Sequence, residues 1–189
     1  MDFFMSFTEF EVRFLFFLQD YVRTPLLTYI FEFLTALENA GMLSILICLV
    51  MLAVKKTRRI GITASISLIL STLAVNVIIK PLAARTRPFD EFKSLSILVS
   101  PPADYSFPSG HSAAAFSVAF VIFLCMPKKY GIPAVITASL IAFSRLYIGV
   151  HYPSDVVIGT LIGCAAALLA KYLYKKIPAL NHNSSKTEK

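Results

Sequence analysis

The sequence predicts an all-α fold: a polytopic transmembrane bundle of five spans, with a sixth open over the N-terminal region and a polar site at the outer membrane face. Three observations carry that expectation. Of 189 residues, 57% are hydrophobic and only 15% charged, and the mean hydropathy is +0.71, far more apolar than a soluble domain of this length needs. The apolar residues fall into runs that reach, or can be extended to, the roughly 20 residues a helix needs to cross a bilayer. Much of the formal charge of +7 lies in short clusters flanking those runs, which reads as topology signals rather than as a nucleic-acid-binding stripe.

Taken in order, residues 1–38 have the least regular pattern. Glu9, Glu11, Arg13, Asp20, Arg23 and Glu32 punctuate the apolar positions, and each is costly at bilayer depth. Residues 3–20 therefore read as an interfacial amphipathic helix. The alternative is a sixth span over residues 13–35, which Pro25 would kink or divide. The N-terminus lacks a basic region followed by a clean apolar core, so it does not read as a cleavable signal peptide. Met42 to Val54, "MLSILICLVMLAV", is the first span once extended back through "LTALENAG". Ile60 to Ile79 is the cleanest, with Asn76 its most polar member. Ser112 to Met126, Tyr130 to Val150 and Val156 to Tyr174 complete five, and residues 39–176 read as one transmembrane domain. Residues 177–189, ending "NHNSSKTEK", read as a disordered tail. Cys48, Cys125 and Cys164 each lie inside an apolar run, with neither metal-ligand spacing nor a paired framework.

Orientation follows from the basic clusters. "KKTRR" at 55–59, Lys128 with Lys129, and Lys171 with Lys175 and Lys176 share one side if the spans alternate. That side is cytoplasmic by the positive-inside tendency, as is the C-terminus, and a multi-pass plasma-membrane protein is expected. The segment Lys80 to His111 then faces outward with Lys80, Arg85, Arg87 and Lys93. Four basic residues on an external loop run against the tendency, so a functional need for positive charge there is inferred.

Three polar clusters remain once the spans are removed. In "KPLAARTRP", Lys80 and Arg87 bracket the outer end of the second span; with Arg145 they offer three cations, two of them guanidinium forks that match phosphate oxygens. Snorkelling to headgroups is the bland alternative for any one of them. In "PSGH", Ser109 and Gly110 open a helix whose first N–H groups suit an anion, although a simple cap and turn would explain the pair alone. His111 adds an imidazole able to donate a proton near neutral pH. In "SRLYIGVHYPSD", His151 and Asp155 stand four apart. If the turn is helical there, the carboxylate reaches one ring nitrogen, fixes the tautomer and frees the other as a nucleophile; a helix-start cap is the alternative. The surrounding cations disfavour a divalent metal. Arg85, Lys93, Asp104 and Tyr105 read as solvated loop residues, with a part in headgroup contacts as the alternative.

Together K-x6-R-P, P-S-G-H and S-R-x5-H-x3-D resemble the tripartite signature of the type 2 phosphatidic acid phosphatases, a superfamily shared with the vanadium-dependent haloperoxidases. The motifs span Lys80 to Asp155. The resemblance implies a metal-independent lipid phosphatase without cofactor, acting through a phosphohistidine. It implies His151 as nucleophile, Asp155 as its orienting partner and His111 as acid, with Lys80, Arg87, Arg145, Ser109 and the Gly110 backbone holding the phosphoryl group. The expected partners are the bilayer and a lipid phosphate in it, with no nucleic acid. Undecaprenyl diphosphate is the first expectation by analogy with small outward-facing members, ahead of phosphatidylglycerophosphate and phosphatidic acid. A small anionic-lipid transporter is the competing class, but such a protein would carry polar or broken helices near the midplane.

Overall fold

The computed structural model describes residues 2–176, so the expected tail at 177–189 lies outside the described residues. The described chain is helical. α1 (Asp2–Phe17) passes through a π turn (Leu18–Val22) into α2 (Pro25–Leu37), which starts where Thr24 caps the Leu27 N–H and Pro25 occupies the first turn. A 3-10 turn (Asn39–Gly41), with Ala40 and Gly41 at positive φ, joins α2 to α3 (Met42–Ala53) at a 42° bend. α4 (Arg58–Thr72) continues as a π segment (Leu73–Ile79) and α5 (Lys80–Ala83). Pro81 supplies no N–H to the turn before it, and the backbone widens to π geometry there. The short α6 (Pro88–Glu91) precedes a loop, then α7 (Gly110–Cys125), α8 (Lys128–Tyr147) and α9 (Pro153–Lys176).

By length and composition, α8, α9 and the run Arg58–Glu91 suffice to cross a membrane; the bent α2–α3 pair passes jointly, and α7 is a shorter apolar helix. Each of the five runs read from sequence is helical. α7 is the central element, packed on α4, α8 and α9, and small residues, Ala113, Ala114, Ala115, Ser117 and Ala119, fill much of its buried surface. Small residues let helix backbones approach where lipid gives no hydrophobic drive between helices. A Cβ on Gly163 would lie 2.5 Å from the Ala113 carbonyl oxygen, and one on Gly159 would lie 2.5 Å from that of Ser109. α9 is thereby held against the start of α7. α1 sets Val12 and Leu15, and the π turn after it Leu18, into a buried cluster with Ala142, Leu146, Tyr152 and Val156 of the α8–α9 corner.

Candidate active site

The three motif clusters meet at one end of the bundle, and local folding explains how. α8 ends in a Schellman arrangement: Val150 N–H donates to the Arg145 carbonyl at 3.3 Å and Gly149 N–H to that of Leu146 at 3.0 Å, with Gly149 at φ +82. This reversal points Arg145 and His151 toward the same space. His151 itself is not helical, contrary to the condition attached to the four-residue spacing. Asp155 reaches it by another route: its Oδ2 accepts the Tyr152 N–H at 2.9 Å, as an acid in the first turn reaches back to cap its own helix. That pose leaves Oδ2 3.4 Å from His151 Nδ1. Capping and orienting are therefore one arrangement, not alternatives.

The other ring nitrogen, Nε2, lies 3.4 Å from Nη1 of Arg87. A guanidinium can only donate, so Nε2 presents its lone pair and Nδ1 carries the proton toward Asp155. Burial pushes the His151 imidazole down, and the neighbouring Asp155 only partly offsets it, leaving it at about 4. It is therefore neutral, with a free lone pair, near neutral pH.

His151, His111, Gly110, Lys80, Arg87 and Arg145 all line one cavity of about 800 Å³, together with Thr35, Glu38 and Asn76. Arg87 is locked by Nη1 to the Val150 carbonyl at 2.7 Å and by Nε to the Asp104 carbonyl at 2.8 Å. Arg145 is held by the Thr35 hydroxyl of α2. Among the described residues, His111 Nε2 and Arg145 Nε are the buried side-chain polar atoms that lack a hydrogen-bond partner. Both belong to residues lining this cavity, and buried polar groups are normally satisfied. Ser109 differs from its motif neighbours. It is fully buried, and its hydroxyl caps α7 through the Ser112 N–H and Oγ, so Gly110 and His111 are the motif members that line the cavity.

Two residues read as solvated loop, Asp104 and Arg85, carry ion pairs at the site, Asp104 while remaining exposed. Asp104 pairs with Lys80 and, at 2.6 Å, with Arg87; burial would raise its carboxyl, but these cations override that and hold it at about 2. Arg85 bonds Asp155 and Glu11, each at 2.7 Å, and lies 3.8 Å over the Tyr152 ring. Lys93 and Tyr105 are exposed, as read. Ser106 was missed as well: it is fully buried and donates to Asp155 Oδ2 at 2.5 Å. Glu11 had one signal in the sequence, since an acid in an apolar stretch costs too much to lack a partner.

The fold and this cavity define a class: a polytopic helical membrane protein with a cavity lined by three cationic side chains and two imidazoles. The chain belongs to the PAP2 superfamily, whose family model matches residues 61–178. It is 38% identical over 120 residues to an undecaprenyl-diphosphatase of Sulfolobus acidocaldarius, covering 64% of this chain and 58% of that protein. Its fold matches the crystal structure of the transmembrane PAP2 type phosphatidylglycerolphosphate phosphatase of Bacillus subtilis, with a TM-score of 0.73 and 26% identity over 91% of this chain and 88% of that one. It likewise matches LpxE of Aquifex aeolicus, with a TM-score of 0.72 and 28% identity over 84% of this chain and 93% of that one.

Proposed function

We propose that the protein is a metal-independent membrane lipid phosphatase that removes a terminal phosphate through a phosphohistidine on His151. One observation carries the reading. The partnerless Nε2 of His111 and Nε of Arg145 belong to residues lining the same cavity as His151, Lys80 and Arg87, and a phosphoryl group would satisfy both. Lys80, Arg87 and Arg145 bind its oxygens, displacing the Asp104 carboxylate that pairs with two of them. His151 Nε2 attacks phosphorus, the bond to the leaving oxygen breaks, and His111 supplies that oxygen with a proton. His111, now neutral, takes a proton from water as the water attacks the phosphohistidine, releasing phosphate and restoring both rings. Most of the catalysis is charge stabilisation and in-line placement. Ser109 acts by capping the helix whose first residues meet the phosphate.

Undecaprenyl diphosphate, converted to undecaprenyl phosphate, is the proposed substrate, supported by the name of the Sulfolobus relative. Phosphatidylglycerophosphate is the second reading, supported by the Bacillus fold match. The site faces the outer leaflet and the C-terminus the cytoplasm, supported by the basic clusters at the opposite helix ends.

The test is phosphate release in EDTA from prenyl diphosphates, phosphatidylglycerophosphate and phosphatidic acid. Wild type turns over at least one of them, and His151→Ala loses about four orders of magnitude or more, as for removal of a nucleophile. Equal rates from the two proteins overturn the nucleophile, and total loss on chelation overturns the metal-free route.

A further inference from the structure

Asp155 orients His151, and its own carboxylate is held by groups from distant parts of the chain. Oδ2 accepts from the Tyr152 N–H at 2.9 Å and the Ser106 hydroxyl at 2.5 Å. Oδ1 accepts from Arg85 Nη1 at 2.7 Å. The same guanidinium donates to Glu11 Oε2 at 2.7 Å, and Glu11 Oε1 accepts the Ser154 N–H of α9 at 2.7 Å. Glu11 is 1% exposed and Asp155 is fully buried. An acid, a base and a second acid thus run from α1 to the nucleophile.

Geometry and charge give this chain of contacts a task. A carboxylate held on one oxygen can still tilt about its last torsion, and at 3.4 Å its contact with Nδ1 is sensitive to tilt. Arg85 pins the other oxygen and so fixes the plane. Arg85 would be a loose anchor by itself, because its stem is long and flexible; Glu11 holds its head from one side and the Tyr152 ring lies against it. The charge count matters as well. Arg85 paired with Asp155 alone would cancel the negative charge that stabilises a cationic imidazole, whereas adding Glu11 leaves the triad at net minus one.

We propose that Arg85 and Glu11 are positioning residues for the reaction: a buried Glu11–Arg85–Asp155 relay from the N-terminal helix fixes the carboxylate that orients His151 and preserves its net negative charge. The inference rests on the phosphatase reading of His151.

The test uses the purified full chain and the same lipid phosphate panel, comparing wild type, His151→Ala, Arg85→Met, Arg85→Lys and Glu11→Gln. Arg85→Met lowers kcat by about tenfold to a hundredfold, the scale of a misplacement near the reacting group. KM stays within about twofold, since Lys80, Arg87 and Arg145 are untouched. Arg85→Lys restores only part of kcat, because an ammonium lacks the fork that spans two carboxylates. The acid limb of kcat/KM supplies a readout that a merely structural role would not move in opposite directions. It reports protonation of His151 in the free protein, which Asp155 of α9, Arg145 of α8, Arg87 and His111 of α7 face. Removing the Arg85 cation leaves Asp155 uncompensated and moves the limb to higher pH; Glu11→Gln leaves Arg85 uncompensated and moves it lower.

Unchanged kcat in every folded Arg85 and Glu11 variant, or limbs displaced in one direction, overturns the relay. So does a rise in KM at constant kcat, which would assign Arg85 to substrate binding. An active wild type beside unaffected variants sinks this inference alone, whereas a wild type as silent as His151→Ala sinks the phosphatase reading and the relay with it. Should Arg85→Met fail to fold, Arg85→Lys and Glu11→Gln carry the kcat readout, and the direction of the Glu11→Gln limb decides the relay.

Discussion

Lys80 and Arg87 hold an internal carboxylate, that of Asp104, at the position proposed for a phosphoryl oxygen. The Asp104 side chain is 54% exposed, so it can leave at modest cost, and its backbone carbonyl keeps its own bond to Arg87 Nε. Replacing the side chain therefore leaves the loop anchored while removing the competing charge. Asp104→Asn is expected to tighten inhibition by inorganic phosphate by about threefold to tenfold, on the scale of a partly solvated charge pair, and inhibition curves on wild type and variant check it. Unchanged inhibition would show that Asp104 does not compete. The cations were legible at the residue scale because the motif spacing marks them. Asp104 was not, because nothing in "SPPADYSF" distinguishes an acid that folds back on the site from one that faces water. Arg85 was legible only as a further basic residue beside Arg87; its two acidic partners lie 74 and 70 residues away.

At the scale of elements, the close pairing of α7 and α9 sets the position of Asp155 relative to the start of α7. The Ser109 N–H donates to the Asp155 carbonyl at 2.9 Å, and Gly159, one turn along α9, leaves room for the Ser109 carbonyl. Gly159→Ala places a methyl 2.5 Å from that oxygen, and backbone cannot yield as a flexible side chain does. The helices must part, at a cost of about 1–3 kcal/mol, as for overpacking elsewhere. A lower thermal midpoint in detergent and a lower kcat are expected together, whereas Leu161→Ala, on an exposed position of the same helix, alters neither. The helices themselves were legible from their apolar runs. The role of the N-terminal segment at the site was not, because it acts there through polar contacts: Arg23, between α1 and α2, to the Tyr147 carbonyl at 2.9 Å, Thr35 of α2 to Arg145, and Glu11 of α1 to the start of α9. Hydrophobic periodicity carries no trace of such bonds.

For the whole molecule, charge separates by helix end. Lys171 donates to the Leu124 carbonyl at 3.3 Å and Lys128 lies 3.5 Å from the Phe123 ring centroid, so the C-terminal part of α9, the end of α7 and the start of α8 lie together. At the opposite end Lys80, Arg85 and Arg87 are paired with Glu11, Asp104 and Asp155. The basic residues that ran against the positive-inside tendency thus meet internal acids, which weakens them as topology signals and shifts the proposed orientation onto the lysine and arginine clusters that pair with no acid among the described residues. If so, Lys56 lies in the cytoplasm and Ser94 outside; both are exposed on the protein surface. Lys56→Cys and Ser94→Cys, expressed singly, are expected to differ toward a membrane-impermeant thiol reagent. Ser94→Cys reacts in intact cells, and Lys56→Cys only after permeabilisation. The three native cysteines provide the background, each lying within a helix, and wild type measures it directly. The reverse pattern would place the cavity on the cytoplasmic side, and the lipid phosphate would then have to enter from the inner leaflet.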